Sequence, residues 1–254
     1  MKRLLKKIFF SICTVSSFLL RDSCARVLMY HSFKLPNVFF NVDPKSFFTQ
    51  IEYLIKRGYI FCSVNELVEK IKGKQSLKKV VVLTFDDGHI DFLDIVMSFI
   101  KKHNIPVTLF WPSGLKDNVL KTSQGDSCSL ISFEQIKTIF ENPLVEIGCH
   151  GHLHNEFTSL SPDQLKEEMR QSLSLLSKDG KEVSLAYPRG KYSSEVIQII
   201  KHYVNSAFTV EEGFVDVSSD LFKLPRLSID SGVSMFVFKA KLSSLYGFTK
   251  KWLA

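Results

Sequence analysis

Between Val80 and Phe85 the chain reads VVVLTF, apolar without alternation, and then breaks into Asp86-Asp87-Gly88-His89. A strand with one wet face alternates, whereas an unbroken run suits a strand covered on both faces, as in a parallel sheet flanked by helices. The flanking sequence repeats the pattern. Arg26 leads into VLMYH, a short strand ending in His31, and 44–57 carries Phe47, Phe48, Ile51, Leu54 and Ile55 at helical spacing with Gly58 as its stop. Ser63-Val64-Asn65-Glu66 is a capping box opening a helix to about Lys72. A strand over 79–85, a helix near 91–103, a strand at 107–111, a helix capped by Ser132 with Gln135 and a strand LVEIG at 144–148 follow. Ser161-Pro162 with Gln164 opens a helix running to Lys178 before Gly180; VSLAYP at 183–188, a helix after Ser193 and SAFTV at 206–210 continue the alternation. Strand and helix in turn over most of the length predict a parallel barrel or an open doubly wound sheet. No Gly-x-Gly-x-x-Gly follows a strand and no Gly-Lys-Ser/Thr loop occurs, which disfavours the nucleotide-binding versions and favours the barrel.

The 254 residues, 45% hydrophobic, suffice for one large α/β domain, and no repeat or low-complexity linker divides them. The net charge of +7 sits at the ends: residues 1–21 hold five basic groups and no acid, and 221–254 hold six with only Asp230, leaving the body near −3. A nucleic-acid groove needs its cations in the folded body, so nucleic acid is excluded as a partner. MKRLLKKIFFSICTVSSFLL joins a basic stretch to an apolar one of signal-peptide length, with Ser23-Cys24-Ala25 at a cleavage-like spacing. Residues 1–25 therefore read as a signal, an anchor or an amphipathic helix, and 26–254 as the folded domain. The C-terminal MFVFKAKLSSLYGFTKKWLA is a second basic amphipathic stretch; both ends suit a membrane surface or, equally, helices covering the core. A membrane-associated or exported protein is expected over a free cytoplasmic one. Five irregularly spaced cysteines without a C-x-x-C pair indicate neither a disulfide framework nor a cysteine zinc site.

Asp-Gly after a strand can be an ordinary turn. The second cluster changes its weight: His150, His152 and His154 follow LVEIG directly, three of the seven histidines within five residues. Imidazoles at two of these positions with a carboxylate from another strand end make the ligand set of a catalytic zinc, three protein groups and an open position.

Thr84-Phe85-Asp86-Asp87-Gly88, His150-x-x-x-His154 and Tyr187-Pro188-Arg189-Gly190 resemble, in order and spacing, the polysaccharide deacetylases, whose shared unit is the NodB homology domain of carbohydrate esterase family four. Met29-Tyr30-His31, Gly58-Tyr59, 105–110 (IPVTLF) and Leu224-Pro225-Arg226-Leu227 are similar to the branch acting on poly-N-acetylglucosamine, and the resemblance covers about 26–245. It implies a single-domain distorted β/α barrel that removes N-acetyl groups from an N-acetylated amino-sugar polymer or lipid-linked glycan. It also implies a divalent metal, zinc first with cobalt, nickel or iron as alternatives, on Asp87, His150 and His154. Asp86 would be the general base, His31 the general acid in place of a late-chain histidine that this sequence lacks, and a backbone N–H near Tyr187 to Arg189 the oxyanion donor. Tyr187, Arg189, Arg226 and His152 would contact substrate or support the site.

Departures from the family pattern are Gly151 for a serine or threonine, Ala186 for an arginine that pairs with the catalytic aspartate, and Arg189 for a tyrosine; Arg226 is placed to restore the lost charge. Two other readings of the same residues are a metallohydrolase of another amide and a sugar-binding surface protein whose catalysis has lapsed.

Overall fold

The structure, a computed structural model, describes residues 23–35, 40–121, 127–176, 182–244 and 246. The N-terminal segment 1–22 and the expected helix end at Lys178 lie outside the described residues. In chain order the elements are β1 (Arg26–Tyr30), α1 (Pro44–Lys56), β2 (Ile60–Phe61), α2 (Val64–Lys72), β3 (Val80–Phe85), α3 (Asp91–His103), β4 (Val107–Trp111), β5 (Val119–Lys121) and β6 (Ser127–Ser129). There follow α4 (Phe133–Phe140), β7 (Val145–Cys149), α5 (Pro162–Leu176), β8 (Ser184–Ala186), α6 (Ser194–Ile200), β9 (Ser206–Phe208), β10 (Leu227–Ser228) and α7 (Met235–Lys241). The capping boxes at Ser63 and Ser132 form as the sequence predicts, each side chain accepting the N–H three residues on.

Eight strands pair in parallel in the order β10-β1-β3-β4-β7-β8-β9, with β2 on the first half of the β3 edge that β4 takes over beyond it. The two ends of this order meet through 221–228. Phe208 bridges Leu224, the Thr209 N–H donates to the Leu224 carbonyl, and Leu227 lies opposite Leu28. Pro225 has no N–H to give to a ladder, so this closure is irregular and the barrel distorted.

Because side chains alternate across a strand, each strand has an inner and an outer set. Val81, Leu83 and Phe85 of β3 join the core shared with the helices, as do Leu28 and Tyr30 of β1 and Ile147 and Cys149 of β7. Val80 and Val82 instead meet Val27, Phe110, Ala186 and Phe208 in a second cluster inside the barrel, whose lower end is closed by Val64, Leu67, Val68 and Ile71 of α2. Both faces of β3 are thus buried, which is why its sequence does not alternate. Gly148 belongs to the inner set, where a Cβ would come within 2.5 Å of the Phe110 ring.

The observed β7 starts and ends one residue later than expected from sequence, and β8 and β9 are shorter, because the chain turns at 188–190 and Thr209 bonds across the closure. The antiparallel hairpin β5–β6 was not signalled: its strands have three residues each, two of them serine in β6. Of the C-terminal stretch, Phe238 and Ala240 are buried in the core and Arg26 donates two hydrogen bonds to the Leu242 carbonyl, so its described part covers the barrel. No helix among the described residues is long and apolar enough to cross a membrane.

Glu146, on the inner face of β7, accepts the Asn65 N–H at 2.9 Å while its Oε1 is buried without a hydrogen-bond partner. Burial pushes its carboxyl up to about 7, against the pull of the Asn65 N–H. The folded state therefore holds this proton more tightly than the unfolded chain, so the associated stability is full below about pH 4.5 and lost as pH rises through about 7. Glu146→Gln should flatten the fall of melting temperature with pH across that window and raise it by roughly a few degrees at its alkaline end, as read by thermal unfolding at a series of pH values.

Candidate active site

The inner positions of the strands continue past their ends. On β3 the inner series Val80, Val82, Thr84 leads to Asp86; on β1 it leads to His31, and on β7 through Gly148 to His150. The alternation that builds the core thus aims these groups into the barrel mouth. Asp86 still follows the ladder, its N–H donating to the Tyr30 carbonyl at 2.9 Å. Asp87 leaves it with φ 68°, which turns the second carboxylate away from the first.

Asp87, His150 and His154 each offer a ligand atom, all within 4.8 Å of one another. Asp87 Oδ1 lies 3.2 Å from His150 Nε2 and 3.1 Å from His154 Nε2, and its Oδ2 lies 3.4 Å from His89 Nε2. Burial alone would push Asp87 up; the imidazoles of His150, His154 and His89 crowded against it outweigh burial and hold the carboxyl well below the usual carboxylate range. For His150 burial is likewise outweighed, and Asp87 raises the imidazole.

This donor set fits a divalent cation on two observations. His150 Nδ1 lies 2.8 Å from the Ala186 carbonyl, which can only accept, so Nδ1 carries the proton in a neutral ring and a lone pair on Nε2 faces the carboxylate. His154 Nε2 is buried without a hydrogen-bond partner. Two imidazole nitrogens and a carboxylate oxygen aimed at one point repel unless a proton or cation lies between them, and two histidines with one acid suit zinc.

Asp86, 2% exposed, is held by Arg226 from the closing segment, Nη1 to Oδ1 at 2.6 Å and Nη2 to Oδ2 at 2.7 Å. Burial would raise Asp86, but the guanidinium prevails and lowers it. Arg226 Nε donates to the Thr209 carbonyl and Nη1 also reaches Thr84 Oγ1, so the guanidinium is fixed.

A cavity of about 610 Å³ opens over these groups, lined among others by His31, Phe40, His89, Arg189, Glu212 and Asp230. The His31 ring stacks on Phe40 at 4.5 Å, and its Nδ1 is buried without a hydrogen-bond partner. Burial lowers the His31 pKa, against the pull of Asp87 and Asp86. Tyr187 forms a wall, its hydroxyl donating to the Phe222 carbonyl. Its N–H donates to the Phe208 carbonyl and residue 188 is proline, so of the 187–189 stretch the Arg189 N–H is the one left to meet a ligand. His152 points elsewhere, its Nδ1 2.9 Å from Ser113 Oγ, and does not line the cavity.

Three buried groups escape sequence reasoning. His89 faces Asp87 and is flagged in the sequence only by adjacency. Asp91 Oδ2 accepts the N–H groups of Phe33 and Lys34, fixing the chain just past His31, and Glu168 Oε1 accepts those of His152 and Leu153. Both acids read as ordinary helix residues, and only the fold shows whom they hold.

A parallel β/α barrel with an Asp-His-His cluster at the carboxyl ends of its strands is an arrangement that can carry metal-assisted hydrolysis. The family model for polysaccharide deacetylase matches residues 73–205, and the chain belongs to that family. YxkH of Bacillus subtilis (strain 168), named as a polysaccharide deacetylase, is 26% identical over 223 residues, 86% of this chain and 76% of its own. The Streptococcus pyogenes deacetylase PplD, solved in complex with acetate, is 27% identical with a TM-score of 0.70, covering 83% of this chain and 94% of its own. IcaB from Ammonifex degensii, at 24% identity and a TM-score of 0.71 over 88% of this chain and 99% of its own, shares the fold.

The positions of the three histidines give a direct check. Asp87→Ala, His150→Ala and His154→Ala should each lose stoichiometric zinc, measured by metal analysis after dialysis, while His152→Ala should keep it. Zinc lost from His152→Ala and kept by His154→Ala would reverse the assignment.

Proposed function

We propose that this chain hydrolyses the acetamide of N-acetylated amino sugars in a polysaccharide or glycoconjugate, with a divalent metal, zinc first, held by Asp87, His150 and His154. The observation that carries the reading is the convergence of these three groups beside an Arg226-paired Asp86 in a member of the polysaccharide deacetylase family. PplD, which is similar over most of both chains, was solved with acetate, the acid that hydrolysis of an acetamide releases.

A divalent metal held by Asp87, His150 and His154 would supply Lewis acidity to the acetamide carbonyl and to a water that attacks near neutral pH. Asp86 accepts that water's proton as general base. Arg226 keeps it ionised and oriented while each carboxylate oxygen retains a lone pair for the cavity. As the carbonyl becomes tetrahedral its oxygen gains charge, and the Arg189 N–H at the cavity wall donates to it. The amine cannot leave as an anion and takes a proton from the protonated His31; because burial lowers the His31 pKa, the donating form is depleted as pH rises. Phe40, stacked on His31 and 43% exposed, offers an apolar face to a sugar ring. Residues 1–25 would deliver the enzyme to the cell envelope or anchor it at a membrane surface; a reporter fused to 1–25 should be exported or held at the membrane rather than remain free in the cytoplasm.

The wild-type protein should release acetate from N-acetylglucosamine oligomers, lose that activity to a chelator and regain it with zinc. Asp86→Asn should keep zinc and lose turnover by a factor on the order of hundreds. His31→Ala should keep zinc and also lose turnover. Oligomer binding without acetate release, indifferent to Asp86→Asn, would identify a lapsed enzyme, and release only from other amides would move the substrate class.

A further inference from the structure

We infer that Glu168 of α5 is the positioning residue of the metal-binding loop, clamping its backbone so that His154 reaches the cluster; this rests on the metal reading above. Glu168 is 5% exposed. Its Oε1 accepts the His152 N–H at 2.9 Å and the Leu153 N–H at 2.7 Å, and its Oε2 lies 3.5 Å from Asn155 Nδ2. Among the described residues no basic side chain pairs with it. A carboxylate taken out of water is expensive unless its charge is met. Here it is met by two successive N–H groups in charge-assisted hydrogen bonds, stronger than those a neutral acceptor makes.

The clamped residues lie between two left-handed ones, Gly151 at φ 76° and His154 at φ 56°. Glycine adopts that region freely, but histidine does so at a cost and only where surrounding contacts fix it. Glu168 fixes the two residues immediately before His154, so the reversal needed to bring Nε2 to Asp87 is imposed from the helix. One turn further along α5, Ser172 Oγ lies 3.3 Å from the Gly151 carbonyl, to which it donates, and 3.2 Å from Cys149 Sγ. The pair at i and i+4 faces the loop from a single helix surface. A Cβ at residue 151 would come within 3.1 Å of Glu168 Oε1, so the carboxylate and any side chain at 151 compete for one space. Glu168 does not touch the cluster; it acts through His154.

The test is zinc affinity, read by titrating the metal-free full-length protein against a competing chelator, with thermal unfolding of each metal-free variant alongside. Glu168→Gln retains an acceptor oxygen without the charge and should bind zinc roughly tenfold more weakly than wild type. Glu168→Ala removes the clamp and should bind roughly a hundredfold more weakly, the range that groups supporting metal ligands command. The cobalt-loaded Ala variant should also show altered visible absorption bands, which a loss of stability alone would not produce. Folded variants that bind zinc within about twofold of wild type and share its cobalt spectrum would overturn the inference; if Glu168→Ala does not fold, Glu168→Gln decides. A wild-type protein that itself fails to bind zinc would overturn the metal reading and this inference together, whereas equal binding by wild type and variants removes only the role of Glu168.

Discussion

The buried pair of Arg226 with Asp86 is the interaction on which the barrel mouth depends. Arg226 comes from the irregular segment that closes the barrel and Asp86 from the end of β3, 140 residues away. Buried ion pairs seldom add net stability, because two desolvations offset the attraction, but removing one partner strands a charge and is costly, on the order of 3–5 kcal/mol. The pair therefore works as a constraint. With both guanidinium ends on the carboxylate, Nε on Thr209 and Nη1 also on Thr84, the closing segment can adopt only the register that brings 226 across from 84 and 86. The same contact sets the charge of Asp86. Closure of the fold and ionisation of the proposed base are one arrangement.

What the sequence discloses follows from the range of the signals. The apolar run of β3, the capping boxes at Ser63 and Ser132 and the Asp-Asp-Gly turn are local, and all appear where expected. The grouping of Asp87 with His150 and His154 is long-range: that two of the three histidines would meet a carboxylate was readable because each sits just past a strand, and which ones was implied only by the family resemblance. Arg226 was one candidate to replace the charge expected at Ala186, and in the structure the closing segment enters the mouth beside Thr84 and brings that guanidinium onto Asp86. His89, Asp91 and Glu168 were not readable as site residues. Asp91 and Glu168 serve backbone N–H groups of distant loops, and a backbone N–H leaves no mark in a sequence. Residue type and spacing alone did not distinguish His152 from its neighbours at 150 and 154, and only the family resemblance set it apart; the fold turns its ring onto Ser113.

The charge distribution also reads differently once the chain is folded. Basic residues at the C-terminal end suggested a membrane face or a core-covering helix. In the described part, Lys241 is 7% exposed and paired with Glu212, to which the Tyr246 hydroxyl also donates, and Lys241 Nζ further donates to the Ser228 carbonyl. Glu212 and Ser228 line the cavity. This lysine therefore neutralises an acid of the cavity wall and ties α7 to it. Arg26, at the first residue of β1, holds the end of the same helix through the Leu242 carbonyl.

The mouth of the barrel has a further regularity. Asp87, His154 and Arg189, each on a different loop, all have φ between 56° and 68°, a region that side chains other than glycine visit reluctantly. Each conformation is imposed by different means: Asp87 precedes Gly88 where the chain leaves β3, His154 follows the residues clamped by Glu168, and Arg189 sits in a tight turn between Pro188 and Gly190. A strand delivers its residues in strict alternation, so from a barrel it can aim only every second side chain inward. A left-handed residue reverses the chain at once and lets the next group beyond the strand face the same cavity. That is how Asp86 and Asp87, adjacent in sequence, serve different partners, one with the guanidinium and the other with the imidazoles. The cost of three such residues is local, whereas the barrel that tolerates them is held by a core tens of residues deep on both faces of its sheet. Strain at the mouth is sustainable because none of it lies in the ladder.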